Sequence, residues 1–320
     1  MFIWIAMFVL SLGYVITPAV IALSWRIGAV DVPQDWRRMH RESIPRNGGL
    51  AILIPFFLGV ILMDVWSPFL SAILLGGGIL LLVGLTDDIF GLSAPVKLFV
   101  QIVAATSAVM IGGVAQGWWI FAAVLWVVLL INAHNFIDGM DGLLCGCGAI
   151  ESLMLCACFF LMGEGILGEF SLLLALACFA FRFYNRYPAR IFAGDCGSEP
   201  IGFLLGMLSL PLFQGVAFGS LTPILIFAYP IADLVCAVVR RVLRGYSPFR
   251  ADRAHLHHRL HAAGIAHPTC TDLLLSLCGA VGIVGVLLCT EILWSYACLA
   301  CLVVAWFLTR VRRYVVAEQY

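Results

Sequence analysis

Charge is scarce in this 320-residue chain: 11% of residues are Asp, Glu, Lys or Arg, against 63% hydrophobic. The 18 basic and 18 acidic residues cancel to a formal net charge of zero, so overall charge points to no polyanionic partner, and no nucleic acid is expected. With a mean hydropathy of +1.06, the composition excludes a soluble globular domain and indicates a polytopic membrane protein. A low-complexity linker is also missing. So is an internal repeat of the kind that marks inverted-repeat transporters. No Lys or Arg precedes the first apolar run, and no small-residue cleavage site closes it. A retained first helix with its N-terminus outside is therefore expected, rather than a cleaved signal. The twelve cysteines lack a zinc pattern: Cys145-x-Cys147 has neither the usual spacing nor a second pair. Most others (Cys156, Cys158, Cys178, Cys236, Cys278, Cys298 and Cys301) lie within apolar runs, where cysteine behaves as a small hydrophobe. Disulfides and structural zinc are not expected.

What the chain does have is about eleven long apolar runs, near 2–24, 47–65, 68–86, 97–113, 117–133, 143–162, 169–184, 200–215, 219–239, 271–289 and 292–309. They must be helices, because lipid cannot satisfy an open sheet edge. Several fall short of the roughly 20 residues a span needs, so some helices are expected to run on into the motifs beside them. The expected fold is an all-α, multi-pass helical bundle of about eleven transmembrane helices, forming one membrane-embedded domain over 1–320. With an external N-terminus, every Lys and Arg falls at the inner side: Arg26 to Arg46, Lys97, Arg182 to Arg190, Arg240 to Arg259, and Arg310 to Arg313. The outer loops, such as Gly163 to Gly168, carry none. This is the positive-inside pattern, and it sets the C-terminus in the cytoplasm.

The few polar residues gather at one face. Asp87-Asp88 closes the third span. A helix C-terminus is the wrong end for carboxylates, and adjacent acids repel, so a cation or basic partner must offset both costs. Asn132-x-x-Asn135-x-x-Asp138-Gly-x-Asp141-Gly follows the fifth span. On a helix this every-third-residue row drifts round one side, so that neighbouring pairs converge on one ligand. Carboxylate and amide oxygens without thiolate suit a hard cation, Mg²⁺ or alternatively Mn²⁺. Gly194-Asp195-x-Gly197-Ser198 precedes the eighth span, where exposed N–H groups at a helix N-terminus favour an anion. A basic loop carries Arg250, Arg253 and His255-x-His257-His258, and this mixture suits phosphate oxygens. Each motif also has a plain reading: solvated acids, an Asp-Gly turn, a helix cap, and an ordinary basic loop.

In this order the motifs resemble the polyprenyl-phosphate N-acetylhexosamine-1-phosphate transferases. The likeness runs from about Asp31 to Leu260 and includes Arg38-Met-His40, Pro45-x-x-Gly48-Gly49-Leu50-Ala51 and Pro95-Val-Lys97-Leu98-x-x-Gln101. Ser247-Pro-Phe-Arg-Ala-Asp-Arg before the histidines resembles the undecaprenyl-phosphate GlcNAc-1-phosphate branch. The phospho-MurNAc-pentapeptide translocases, with three consecutive histidines, are more distant. Two departures stand out: Glu199-Pro200 where the family has small or apolar residues, and Leu144-Cys145 where Ala is common.

The resemblance implies a bacterial cytoplasmic-membrane enzyme whose site faces the cytoplasm. Its substrates would be a UDP-N-acetylhexosamine and polyprenyl phosphate, and its products UMP and a lipid-linked diphosphate sugar that initiates cell-surface polysaccharide. Partners are the two substrates and the bilayer, with a homodimer left open. On this reading Asn135 and Asp195 are the metal ligands, and Asp138 and Asp141 support the metal or hold nucleotide. Asp87 or Asp88 acts as base or helps place the metal. Lys97, Asn132, Gly194, Arg250, Arg253, His255, His257 and His258 bind substrate. A cation-coupled transporter is the rival from another class, but it needs acids near the midplane. His134 is expected only to line the motif, and Glu151 is an intramembrane acid with no evident partner. Asp233 either faces the site or is a packing residue. Trp118-Trp119 reads as an interfacial anchor, and Gly76-Gly77-Gly78 as a point of close helix packing.

Overall fold

The computed structural model describes residues 1–32, 42–214, 221–247 and 255–289. It is helical apart from one antiparallel pair of two-residue strands, β1 (Val30–Asp31) and β2 (Ile44–Pro45). The helices are α1 (Phe2–Ile27), α2 (Gly49–Leu62), α3 (Pro68–Phe90), α4 (Ala94–Gly112), α5 (Trp119–Ile137), α6 (Leu143–Met162), α7 (Gly165–Asn185), α8 (Asp195–Ser209), α9 (Leu221–Ile226), α10 (Ala228–Leu243), α11 (Leu256–Ala262) and α12 (His267–Leu288). A 3₁₀ turn, Leu210–Gln214, continues α8.

Local chemistry sets the ends. The Ser67 hydroxyl accepts the Leu70 N–H at 3.1 Å and Pro68 opens α3, so donors that would be orphaned are capped or absent. Left-handed glycines bound α6, Gly142 before it (φ 73°) and Gly163 after it (φ 80°).

Among the described residues, eight helices are long and apolar enough to cross a membrane. α8 is the central one. Nearly all of it is buried, while α3 and α5 pack on its sides and turn large residues such as Leu75, Leu82, Phe121 and Leu125 outward. Small residues allow the approach: a Cβ at Gly202 would come 2.5 Å from the Leu130 carbonyl oxygen, and one at Gly206 3.1 Å from the Val127 Cα. Gly76 and Gly77 sit against Phe203 and Phe57 as the glycine run suggests, whereas Gly78 faces open space. Trp118 and Trp119 are exposed and stacked, with centroids 4.1 Å apart.

Ten of the eleven expected spans coincide with helices, with corrections. The second, α2, has 14 residues, short for a span. The ninth is interrupted at Phe227 into α9 and α10. The eleventh, 292–309, and the C-terminal arginines lie outside the described residues. As expected, helices run on into motifs: α3 carries Asp87 and Asp88 in its last turn, α5 carries Asn132 and Asn135, and α8 begins at Asp195.

Candidate active site

The site forms where the C-terminal ends of α3 and α5 meet the N-terminal ends of α4 and α8. Its scaffold is the Gly194 turn. Gly194 has φ 71°, and a Cβ there would overlap the Arg46 carbonyl oxygen. Gly84 of α3 likewise lies against the Cys196 backbone, so α3 and α8 touch main chain to main chain.

That approach gives Asp88 its role. Its Oδ1 accepts the Asp195 N–H and its Oδ2 the Cys196 N–H, both at 3.1 Å. A carboxylate unfavourable at the end of its own helix therefore caps the positive N-terminus of another. Arg46 Nη2 completes the shell at 2.8 Å from Asp88 Oδ1 and 3.8 Å from Asp195 Oδ1. Burial alone would lower the proton affinity of Arg46, but Asp88 and Asp195 outweigh it and the net shift is upward. Arg46 was read in the sequence only as a topological charge; its position just after Pro45 in the Pro-x-x-Gly-Gly string was the available signal.

Lys97 is the sole lysine of the chain. Its ammonium donates to Asp87 Oδ2 at 2.9 Å and to Asp195 Oδ2, and lies 3.9 Å from Glu199 Oε1. Asp87 also accepts the Leu92 N–H, which ties it to the α3–α4 turn. A polar relay runs inward from there: Asn132 Nδ2 donates to Gln101 Oε1 at 2.8 Å, and Gln101 Nε2 donates to Glu199 Oε1 at 3.0 Å. The sequence assigns Gln101 no role, while Glu199 stands out there as a departure that adds a charge near the proposed metal.

The Asn–Asp row does not stay on one helix. α5 ends at Ile137, so Asn132 and Asn135 are helical, Asp138 follows the last turn and Asp141 lies beyond it. Asn135 Nδ2 donates to Ser198 Oγ at 3.0 Å. The Asp138 carboxylate accepts the Gly194 N–H; burial first, and then Asp195 and Asp88, push it well above the usual carboxylate range. Asp141 turns elsewhere, accepting the Ala189 N–H at 3.0 Å with His267 Nε2 4.0 Å away.

The histidines arrive through α10 and α11. Asp233 accepts the Leu256 N–H and the His255 ring N–H, both at 2.8 Å, so it caps α11 and fixes His255. His255 Nε2 faces Arg241 Nη2 at 3.5 Å. His257 is fully buried, and both its ring nitrogens lack a hydrogen-bond partner among the described residues. Burial, and next the neighbouring His258 4.3 Å away by centroids, lower its pKa to about 3. It is neutral at physiological pH, an acceptor or single donor rather than the cation expected for phosphate. A Cβ at Gly139 would come 3.0 Å from its Nε2, so the histidine motif packs on the Asn–Asp motif. Arg250 and Arg253 lie outside the described residues.

Two expectations about buried groups are corrected. His134 and Glu151 are partners: both side chains are fully buried, with His134 Nε2 2.7 Å from Glu151 Oε2 and Nδ1 donating to the Leu130 carbonyl at 2.8 Å. Cys278 Sγ donates to the other Glu151 oxygen at 3.6 Å, with Cys147 alongside. A cavity of about 550 Å³, lined by residues that include Trp119, Trp126 and Phe213, lies at the other end of α5 and has no titratable lining.

Hard oxygen donors thus converge on one end of the bundle beside one lysine and one arginine. The sequence profile described as glycosyl transferase family 4 matches residues 70–213, which hold Asp87, Lys97, Asn135 and Asp195. A similar protein of Bacillus subtilis (strain 168), named a probable undecaprenyl-phosphate N-acetylglucosaminyl 1-phosphate transferase, is 36% identical over 270 residues, covering 79% of this chain and 75% of its own length.

This chain belongs to glycosyl transferase family 4.

Other proteins similar to this family 4 chain include a decaprenyl-phosphate N-acetylglucosaminephosphotransferase of Mycolicibacterium smegmatis (34% identical over 304 residues; 79% of this chain, 74% of the relative). An undecaprenyl-phosphate alpha-N-acetylglucosaminyl 1-phosphate transferase of Salmonella typhi is 32% identical over 264 residues, covering 75% of this chain and 71% of its own. All three relatives are named for the same transfer, of an N-acetylglucosaminyl phosphate to a polyprenyl phosphate.

Proposed function

We propose that this family 4 chain transfers N-acetylglucosamine 1-phosphate from UDP-N-acetylglucosamine to a polyprenyl phosphate at the cytoplasmic face of a bacterial inner membrane. A lipid phosphate oxygen attacks the sugar-bearing phosphorus, the anhydride bond to the uridylate breaks, and UMP leaves. One phosphoanhydride replaces another, so the reaction runs close to equilibrium. The observation that carries the reading is the convergence of Asp87, Lys97, Asn135 and Asp195 from three helix ends and one glycine turn, together with the relatives' shared name.

Phosphoryl transfer between anions is chiefly a problem of charge and position. The attacking phosphate is largely ionised near neutral pH, so the residues need not remove a proton from it. Lys97 and Arg46 offset phosphate charge. Asp88 holds the α8 N-terminus so that Asp195 projects at a fixed angle. The Asn135 amide, pinned through its nitrogen to Ser198, keeps its carbonyl oxygen for a second contact. Asp195 and Asn135 supply hard oxygen donors, and the buried Glu199 Oε2, without a partner among the described residues, is a further oxygen on the same helix face. Such a set fits Mg²⁺ or Mn²⁺. When bound, that ion supplies Lewis-acid polarisation of the donor diphosphate. Asp138 supports this end of α5 or holds nucleotide, and Asp141 braces the 186–191 loop. His257 offers a neutral ring nitrogen.

Purified protein given polyprenyl phosphate and UDP-N-acetylglucosamine should release UMP, and EDTA should abolish the release. UDP-N-acetylgalactosamine and UDP-MurNAc-pentapeptide should be poorer donors; a preference for the latter would shift the reading to peptidoglycan synthesis.

A further inference from the structure

We propose that Glu199 is the second seat of the Lys97 ammonium, to which the lysine withdraws when Asp195 takes up a divalent cation. The inference rests on the reading of the site given above.

In the structure the ammonium sits between three carboxylates. Asp87 and Asp195 hold it, and Glu199 stands 3.9 Å off. Asp195 and Glu199 are four residues apart on α8 and so share one helix face. A divalent cation on Asp195 would compete with Lys97 for Oδ2, and on either oxygen it would repel an ammonium left beside it. The lysine must therefore have somewhere to go. Glu199 meets the requirement. Its side chain is 1% exposed. Gln101 Nε2 bonds its Oε1, and Gln101 is itself fixed by Asn132, so the carboxylate is aimed. Its Oε2 is buried without a partner among the described residues, a state that calls for a donor to the carboxylate. An approach of about 1 Å brings Nζ to ordinary hydrogen-bond distance of Glu199 Oε1, well within the reach of a four-carbon stem. Glu199 is then a positioning residue: it acts through Lys97 and keeps the positive charge in the site without blocking Asp195.

The test uses the full chain in detergent. Mn²⁺ affinity is measured by electron paramagnetic resonance for wild type, Glu199→Gln, Lys97→Met and the double variant. With the ammonium deprived of its alternative acceptor, E199Q should weaken Mn²⁺ binding about tenfold in the Lys97 background and no more than about twofold in the K97M background. Equal losses in both backgrounds would show that Glu199 is an ordinary ligand or a structural acid, and would overturn the proposal. A second readout needs no variant. Because Lys97 is the only lysine, amine acylation followed by peptide mass spectrometry reports on it alone. Saturating Mn²⁺ should slow its labelling as it moves inward, whereas unchanged labelling would contradict the move. Neither readout uses a sugar donor. Normal UMP release with an uncoupled cycle would refute this inference alone, whereas absent UMP release with a coupled cycle would refute the proposed reaction alone.

Discussion

Replacing Asp88 with Asn should damage the fold before it damages the chemistry. The Asp88 side chain is fully buried and spends one oxygen on each of two backbone N–H groups at the start of α8, with Arg46 alongside. An asparagine keeps one oxygen. Its NH₂ then faces an N–H, so one charge-assisted bond worth about 1.5–3 kcal/mol is lost. The favourable interaction with the α8 dipole, roughly 0.3–2 kcal/mol, is lost as well. Together these give about 2–5 kcal/mol; the partly exposed Arg46 pair adds little. Asp87, by contrast, serves one N–H and the Lys97 ammonium, which Asp195 also holds, so D87N should cost less than half as much. Thermal unfolding in detergent, followed by intrinsic fluorescence, should show a clearly lowered transition for D88N and a near-normal one for D87N. An unchanged transition in D88N with turnover abolished would refute the capping argument and make Asp88 a chemical group.

Other consequences follow from the same contacts. Gly84→Ala should destabilise by about 1–3 kcal/mol or more, because its Cβ would overlap the Cys196 backbone; the same thermal assay and a drop in folded yield check it. Glu151→Ala should cost about 3–5 kcal/mol by leaving His134 Nε2 alone in the bundle core, yet the protein that survives should keep its affinity for donor, read as an unchanged KM. For His257, the folded pKa of about 3 lies below the free value of 6.5, so the unfolded state takes up the proton first. Stability should therefore fall as pH drops below about 6.5, by roughly 1 kcal/mol by pH 5.5, and the slope should flatten in His257→Asn. Melting curves across that range decide it.

The sequence made the helices legible because apolar runs in lipid have only one solution. It made the motifs legible because polar residues are so few. It did not reveal which face of each helix is buried, since helices apolar all round carry no stripe to read. For that reason the centrality of α8 was hidden. Pairings between distant residues were hidden for a different reason. His134 and Glu151 lie on different helices, and nothing local in either segment announces the other. Asp88 read as a misplaced acid because its helix partner is more than a hundred residues away. Asp141 looked like one of a row with Asp138, but the row assumed a helix that the Gly139 turn ends. Glu199 was visible as a departure; only the relay through Gln101 and Asn132 shows what the departure touches.

The central claim is that Asp195 and its neighbours form one hard-cation phosphoryl-transfer site. Its most direct measurement is UMP release from UDP-N-acetylglucosamine and polyprenyl phosphate by wild type and Asp195→Asn, each titrated with Mg²⁺. The account predicts Mg²⁺-dependent release by wild type, and a loss of at least about a hundredfold in D195N at normal folded yield. Near-normal release by D195N at saturating Mg²⁺, or release by wild type that persists in EDTA, would contradict it.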